Sequence, residues 1–152
     1  MSLQSLHAML ADALAGAGLP AASLSASGTA LINMRGLEIG LEYLEAEDRV
    51  ALYCSTGRLP AEASPELYEF LLEKNLLGAK TGGGHIGLYA PARTLVFSLV
   101  LSVPELTAAR LSNALERFAE TATKLIVEVE ERLSSSVDMT EISPLMGNML
   151  WV

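Results

Sequence analysis

One stretch of this chain constrains everything before it. Leu111, Leu115, Phe118, Ala122, Leu125 and Val129 recur alternately four and three residues apart, with Ala119, Ile126 and Leu133 widening the stripe. That spacing predicts a helix over 107–133 with one apolar face. At 1.5 Å per residue the helix is roughly 40 Å long. A rod of that length with one greasy side has to lie across another layer, so the preceding residues must build that layer.

Those residues read as strands in consecutive groups. Thr29–Arg35 is β-prone and ends at Gly36. Leu37–Leu44 alternates, with Leu37, Ile39, Leu41 and Tyr43 on one side and Glu38 and Glu42 on the other, the pattern of a sheet with one wet face. Arg49–Ser55 follows the Glu45–Asp48 turn and closes at Thr56-Gly57-Arg58, making an antiparallel meander the simplest connection. Further on, His85–Tyr89 and Thr94–Ser102 are separated by Pro91. The second of these carries Leu95, Phe97, Leu99, Leu101 and Val103 on one face, and Val96 and Val100 among Ser98 and Ser102 on the other. Being apolar on one face and half apolar on the other, it reads as a central or interface strand. Ser102 with Glu105, or else Thr107, supplies the cap of the long helix.

Two more helices complete the order. Leu3, Leu6, His7, Leu10 and Leu14 form a helical stripe that Gly16, Gly18 and Pro20 end. Ser64-Pro65-Glu66 opens another, with Ser as cap, Pro at the first helical position and an acid in the first turn. It carries Leu67, Tyr68, Phe70, Leu71 and Leu72 and stops at Gly78. These residues cover more than one narrow stripe, so the helix is expected to be buried on two sides, one of them against a second subunit. The order is α-β-β-β-α-β-β-α, which predicts an α+β fold with a twisted antiparallel sheet packed with helices.

At 152 residues one domain is expected. A composition of 51% hydrophobic and 18% charged residues excludes a disordered chain. The longest strongly apolar run, 95–101, is far short of the roughly 20 residues that span a bilayer, so no membrane insertion is expected. Asp12 interrupts an N-terminal stretch that lacks a basic leader, which argues against a secretory signal. A lone cysteine, Cys54, suits a reducing compartment, and a cytoplasmic location follows as the expectation. The net charge of −8 argues against binding to nucleic-acid phosphates. The acidity is local: residues 37–75 hold nine acidic and three basic side chains, a surface suited to keeping a sticky molecule soluble.

The inventory for chemistry is thin. His7 and His85 are the only histidines, and neither has a Cys or His at metal-ligand spacing. Thr81-Gly82-Gly83-Gly84 follows a helix and precedes a strand, the reverse of a phosphate loop, and reads as a turn. Cys54 shares a strand face with Leu52 and reads as a buried, inert thiol. Glu38 and Glu42 are explained by solvation. No catalytic residue, metal site or cofactor emerges, so a protein that is not an enzyme is expected.

The run Leu-Tyr-Glu-Phe-Leu-Leu-Glu-Lys-Asn-Leu-Leu at 67–77 precedes the glycine turn and Gly87-Leu88. Then come Val96–Val103, Pro104 and Thr107–Leu133. This succession resembles class I type III secretion chaperones, the CesT/Tir-chaperone family. The motifs lie within 67–130, and element order extends the likeness over 1–133. The resemblance implies a cytosolic homodimer without enzymatic activity that holds the N-terminal chaperone-binding segment of a secreted effector in extended form. Carried onto this chain, it implies effector contacts at Leu3, Leu6, Leu10 and Leu14 of the first helix and at Leu31, Ile32 and Met34 of the sheet. Core packing competes with that role at each position. For the dimer it points to Leu67, Phe70 and Leu71, with Val96 and Val100. Two other functions compete: an adaptor or regulatory protein-binding domain of the same fold, and a small-molecule enzyme or ligand-binding domain around His85.

The tail 134–152 departs from the family pattern, and a domain boundary is expected at 133. It is Ser-rich and then carries Met139, Ile142, Leu145, Met146, Met149, Leu150, Trp151 and Val152. It is expected either to pack back on its own subunit or to lie in an apolar groove where an effector segment would otherwise sit.

Overall fold

The computed structural model describes residues 1–149, with side chains described as far as Ser135. The main elements are α1 (Leu3–Gly16), β1 (Thr29–Met34), β2 (Leu37–Leu44), β3 (Arg49–Arg58), α2 (Pro65–Asn75), β4 (His85–Tyr89), β5 (Thr94–Ser102) and α3 (Ala108–Met149). Each helix start has a local cause. The Ser2 hydroxyl accepts the Ser5 N–H at 3.1 Å, and the Ser64 hydroxyl accepts the Leu67 N–H at 3.3 Å. Of the two candidate caps for α3, Thr107 is used: its hydroxyl accepts the Arg110 N–H at 3.2 Å.

The strands form one antiparallel sheet in the order β1-β2-β3-β5-β4. The meander is the expected one, but β5 then takes the place beside β3 and pushes β4 to the outside. The β1–β2 hairpin turns on Arg35 and Gly36, whose φ values of 54° and 77° suit the right-handed twist of the strands. The other two hairpins share a different solution, a 3-10 turn closed by a left-handed residue, Asp48 in one and Arg93 in the other.

Alternation along the strands gives the sheet one inner face. Ile32, Ile39, Leu41, Val50, Leu52, Leu95 and Phe97 are buried there, together with Leu6, Leu10 and Leu14 of α1 and Leu111, Leu115, Phe118, Ala122, Leu125 and Val129 of α3. Phe97 and Phe118 stack with their ring centroids 4.8 Å apart, fixing α3 on β5. α2 docks beside α3. The Lys74 ammonium lies 2.7 Å from the Glu128 carboxylate, and the Arg132 guanidinium lies 3.9 Å from the centre of the Phe70 ring.

α3 does not stop at Leu133. Its backbone stays helical to Met149, so the expected tail begins as a continuation of the helix. The apolar stripe ends at Leu133 and a serine run follows, which is why the pattern predicts an earlier stop. The Ser134 and Ser135 hydroxyls donate to the Glu130 and Glu131 carbonyls at 2.9 and 2.8 Å, which lets them sit in the helix. The side chains of Met139, Ile142, Leu145, Met146 and Met149, and the whole of Leu150, Trp151 and Val152, lie outside the described residues. Among the described residues no helix is long and apolar enough to cross a membrane.

Candidate protein-binding surfaces

An open sheet presents unpaired N–H and C=O groups at its edges, and ladder parity tells which residues carry them. The Tyr43 N–H donates to the Gly28 carbonyl at 2.8 Å. Through the β1–β2 register, Ala30, Ile32 and Met34 therefore face β2, while Leu31 and Asn33 turn their main-chain groups off the sheet. Thr29 shares that edge, but its carbonyl already accepts the Ser25 N–H at 2.8 Å. The β4 edge is treated differently. The Asn75 amide donates to the Ile86 carbonyl at 2.9 Å and accepts the Ile86 N–H at 2.8 Å. One side chain thus imitates a neighbouring strand and closes the edge at Ile86.

Exposed apolar side chains gather around α2. Tyr68, Leu72 and Leu76 recur every four residues on its outer side, and Leu77, 94% exposed, follows in a left-handed conformation with φ 56°. Leu88 and Tyr89 of β4 are exposed as well. On the outer sheet face Leu31 is 53% and Val100 48% exposed.

The residues singled out from sequence divide by burial. Leu6, Leu10, Leu14, Ile32 and Met34 lie in the core of this chain, Leu3 is half-buried, and Leu31 is open to solvent. Leu67, Phe70 and Leu71 are buried on the inner side of α2, Val96 is half-buried and Val100 is exposed. The outer stripe of Tyr68, Leu72, Leu76 and Leu77 was not among the positions singled out for the dimer. Its signal was the second spacing along α2, offset by one residue from the inner one.

Of the groups that could do chemistry, His7, Cys54, Thr56 and Thr81 are taken up by the fold. His7 Nδ1 accepts the Leu24 N–H at 3.4 Å, while His85 is exposed at the start of β4. Burial pushes the Cys54 thiol up to about 11. The two buried polar side chains among the described residues are satisfied, Thr56 by the Leu95 carbonyl and Thr81 by that of Gly84. Among the described residues no three His, Cys, Asp or Glu side chains gather to hold a metal ion. What the surface offers is strand edge and apolar side chains.

Solved structures place the fold. The HopA1–SchA chaperone–effector complex matches with a TM-score of 0.64 at 16% identity, covering 86% of this chain and 98% of that one. The ExsC–ExsE complex matches at 0.66 and 17%, covering 79% and 90%. The Yersinia pestis type III secretion chaperone SycH, bound to a stable fragment of YscM2, matches at 0.61 and 17%, covering 78% and 98%. The sheet and its flanking helices thus have the type III secretion chaperone fold. The Tir chaperone protein (CesT) family model matches residues 8–126, and the chain belongs to that family. Membership of a chaperone family supports a chaperone role over that of an adaptor sharing only the fold. Comparison with curated proteins finds no match.

Proposed function

We propose that this chain works as a cytoplasmic homodimer that holds the N-terminal chaperone-binding segment of a secreted effector in extended form, without catalysis. Beyond family membership, the observation that carries the reading is the open β1 edge. An extended segment pairing with Leu31 and Asn33 gains main-chain hydrogen bonds that depend little on its sequence, and its alternate side chains can cover Leu31. Such binding suits a client that must stay unfolded until export. The buried leucines of α1, with Ile32 and Met34, set the shape behind that edge, and Leu3 and Leu31 offer the contact.

The second subunit belongs on α2. An apolar stripe as exposed as Tyr68, Leu72, Leu76 and Leu77 is the kind of surface that a partner covers. Leu67, Phe70 and Leu71 support it from behind, and Val96 and Val100 extend it onto the outer sheet face. The acidic residues of 37–75 keep the uncovered molecule soluble.

The test is deletion of the gene in its source strain, with culture supernatants compared by quantitative mass spectrometry. One effector or a small set is expected to fall while export of the others continues, with recovery on adding back wild type but not Leu31→Asp. An unchanged set of secreted proteins would overturn the proposal.

A further inference from the structure

A second edge is open in the middle of the molecule. β3 pairs with β5 along its whole length to Ser102, but β4 pairs only with Thr94 to Ser98. From Leu99 onward β5 is therefore covered on one side only. Parity again says which groups are free. Ile86 faces away from β5, toward Asn75, so Phe97 opposite it faces β3. The Val103 N–H donates to the Asp48 carbonyl at 3.0 Å and continues the same alternation. Val100, between them, turns its N–H and C=O to the uncovered side, while its side chain stays on the outer sheet face proposed for the second subunit.

Beside this edge, on the inner face, α3 stands off the sheet. A cavity of about 150 Å³ opens there, bordered by Leu99 and Leu101 of β5, by Ala114, Phe118 and Thr121 of α3, and by Thr81 and Gly82 of the glycine turn. Arg117 lines the same cavity, is exposed, and makes no ion pair among the described residues. A free cation beside a mostly apolar hole is notable in a chain of net charge −8.

We propose that this cleft is a second docking site for an extended protein segment, which pairs with Val100 and places an apolar side chain in the cavity and a carboxylate on Arg117. Residues two apart in a strand fall on the same face. The segment that fits therefore carries an apolar residue and an acidic residue separated by one position. Asn75 seals β4 against the same kind of pairing, so the sheet offers a client the edges of β1 and β5 and withholds that of β4 at Ile86. The inference rests on the reading of the chain as a holder of extended clients, and it adds a place and a sequence preference to it.

The experiment uses the full-length protein and a labelled peptide, Ser-Thr-Leu-Thr-Asp-Thr-Ser, read by fluorescence anisotropy. Binding is expected to persist in Leu31→Asp, which puts a charge on the apolar contact of the first edge, and to slow hydrogen exchange at the Val100 amide. Ala114→Phe, which fills the cavity, is expected to weaken binding about tenfold, about 1.4 kcal/mol. Arg117→Glu, at an exposed position, keeps the test available if Ala114→Phe misfolds. It should weaken the Asp peptide and favour one with Lys in its place. The proposal is overturned if wild type does not bind. It is also overturned if Leu31→Asp abolishes binding while Ala114→Phe and Arg117→Glu leave it intact; that outcome puts clients on β1 alone and leaves the chaperone reading standing. An unchanged set of secreted proteins, with the peptide bound as expected, would remove that reading instead and leave the cleft.

Discussion

The side-chain amide of Asn75 bonds both main-chain groups of Ile86 and so closes the β4 edge at that residue. Asn75→Ala leaves a donor and an acceptor without partners at a half-buried place, a loss of about 1–3 kcal/mol. Urea denaturation should show that loss, and sedimentation should show more self-association through the reopened edge. Asn75→Asp keeps the acceptor for the Ile86 N–H and should fall between the two. Cys54 gives a residue-scale expectation in pH. Burial holds its thiol protonated up to about 11, against 9.0 for a free one. The unfolded chain releases this proton first as pH rises, so the thiol's contribution to stability is complete below pH 9 and lost on passing through 11. Denaturation midpoints taken across that window should fall more steeply for wild type than for Cys54→Val. Cys54 was legible in sequence because its neighbours alternate. The role of Asn75 was not, because its partner lies across a turn, and periodicity says nothing about side-chain to main-chain bonds.

Elements were legible where one face is buried and the other wet. β2 and α3 announce themselves through Leu37, Ile39 and Leu41 in the one and Leu111, Leu115 and Phe118 in the other. The half-apolar outer face of β5 predicts a central or interface strand; β5 is central where β4 flanks it, and its edge is unpaired from Leu99 onward. That division depends on the length of β4, which a pattern within β5 cannot carry. The glycine turn shows the same limit. It reads as a turn, but at Gly84 the chain also passes close against the core. A Cβ there would stand 2.4 Å from the Phe97 ring and 2.8 Å from the Ser98 carbonyl oxygen. Because the second of these is backbone, the neighbour cannot swing away. Gly84→Ala is expected to cost about 1–3 kcal/mol in chemical denaturation through overpacking, and to loosen the Phe97–Phe118 stack as seen in near-ultraviolet circular dichroism.

At the scale of the whole molecule, α2 is the element that one chain leaves unfinished. Its inner residues are satisfied by the sheet and α3, while Leu72 and Leu76 stay 71% and 66% exposed. Sequence alone told that α2 had two apolar sides but not which side the protomer claims. That choice is made by Lys74 reaching Glu128 and Arg132 covering Phe70, contacts more than fifty residues apart along the chain. The proposed homodimer therefore makes an asymmetric prediction about two pairs of leucines. Replacing the exposed pair, Leu72→Glu with Leu76→Glu, should leave the far-ultraviolet spectrum and the core intact. Light scattering should then read 16.1 kDa where wild type reads about twice that mass. Replacing the inner pair, Leu67→Glu with Leu71→Glu, should unfold the protomer, because two carboxylates cannot be buried there without partners. A wild-type protein of monomeric mass would leave the outer stripe of α2 uncovered and would sink the dimer. Dimeric mass in the Leu72→Glu, Leu76→Glu protein would move the second subunit to another face.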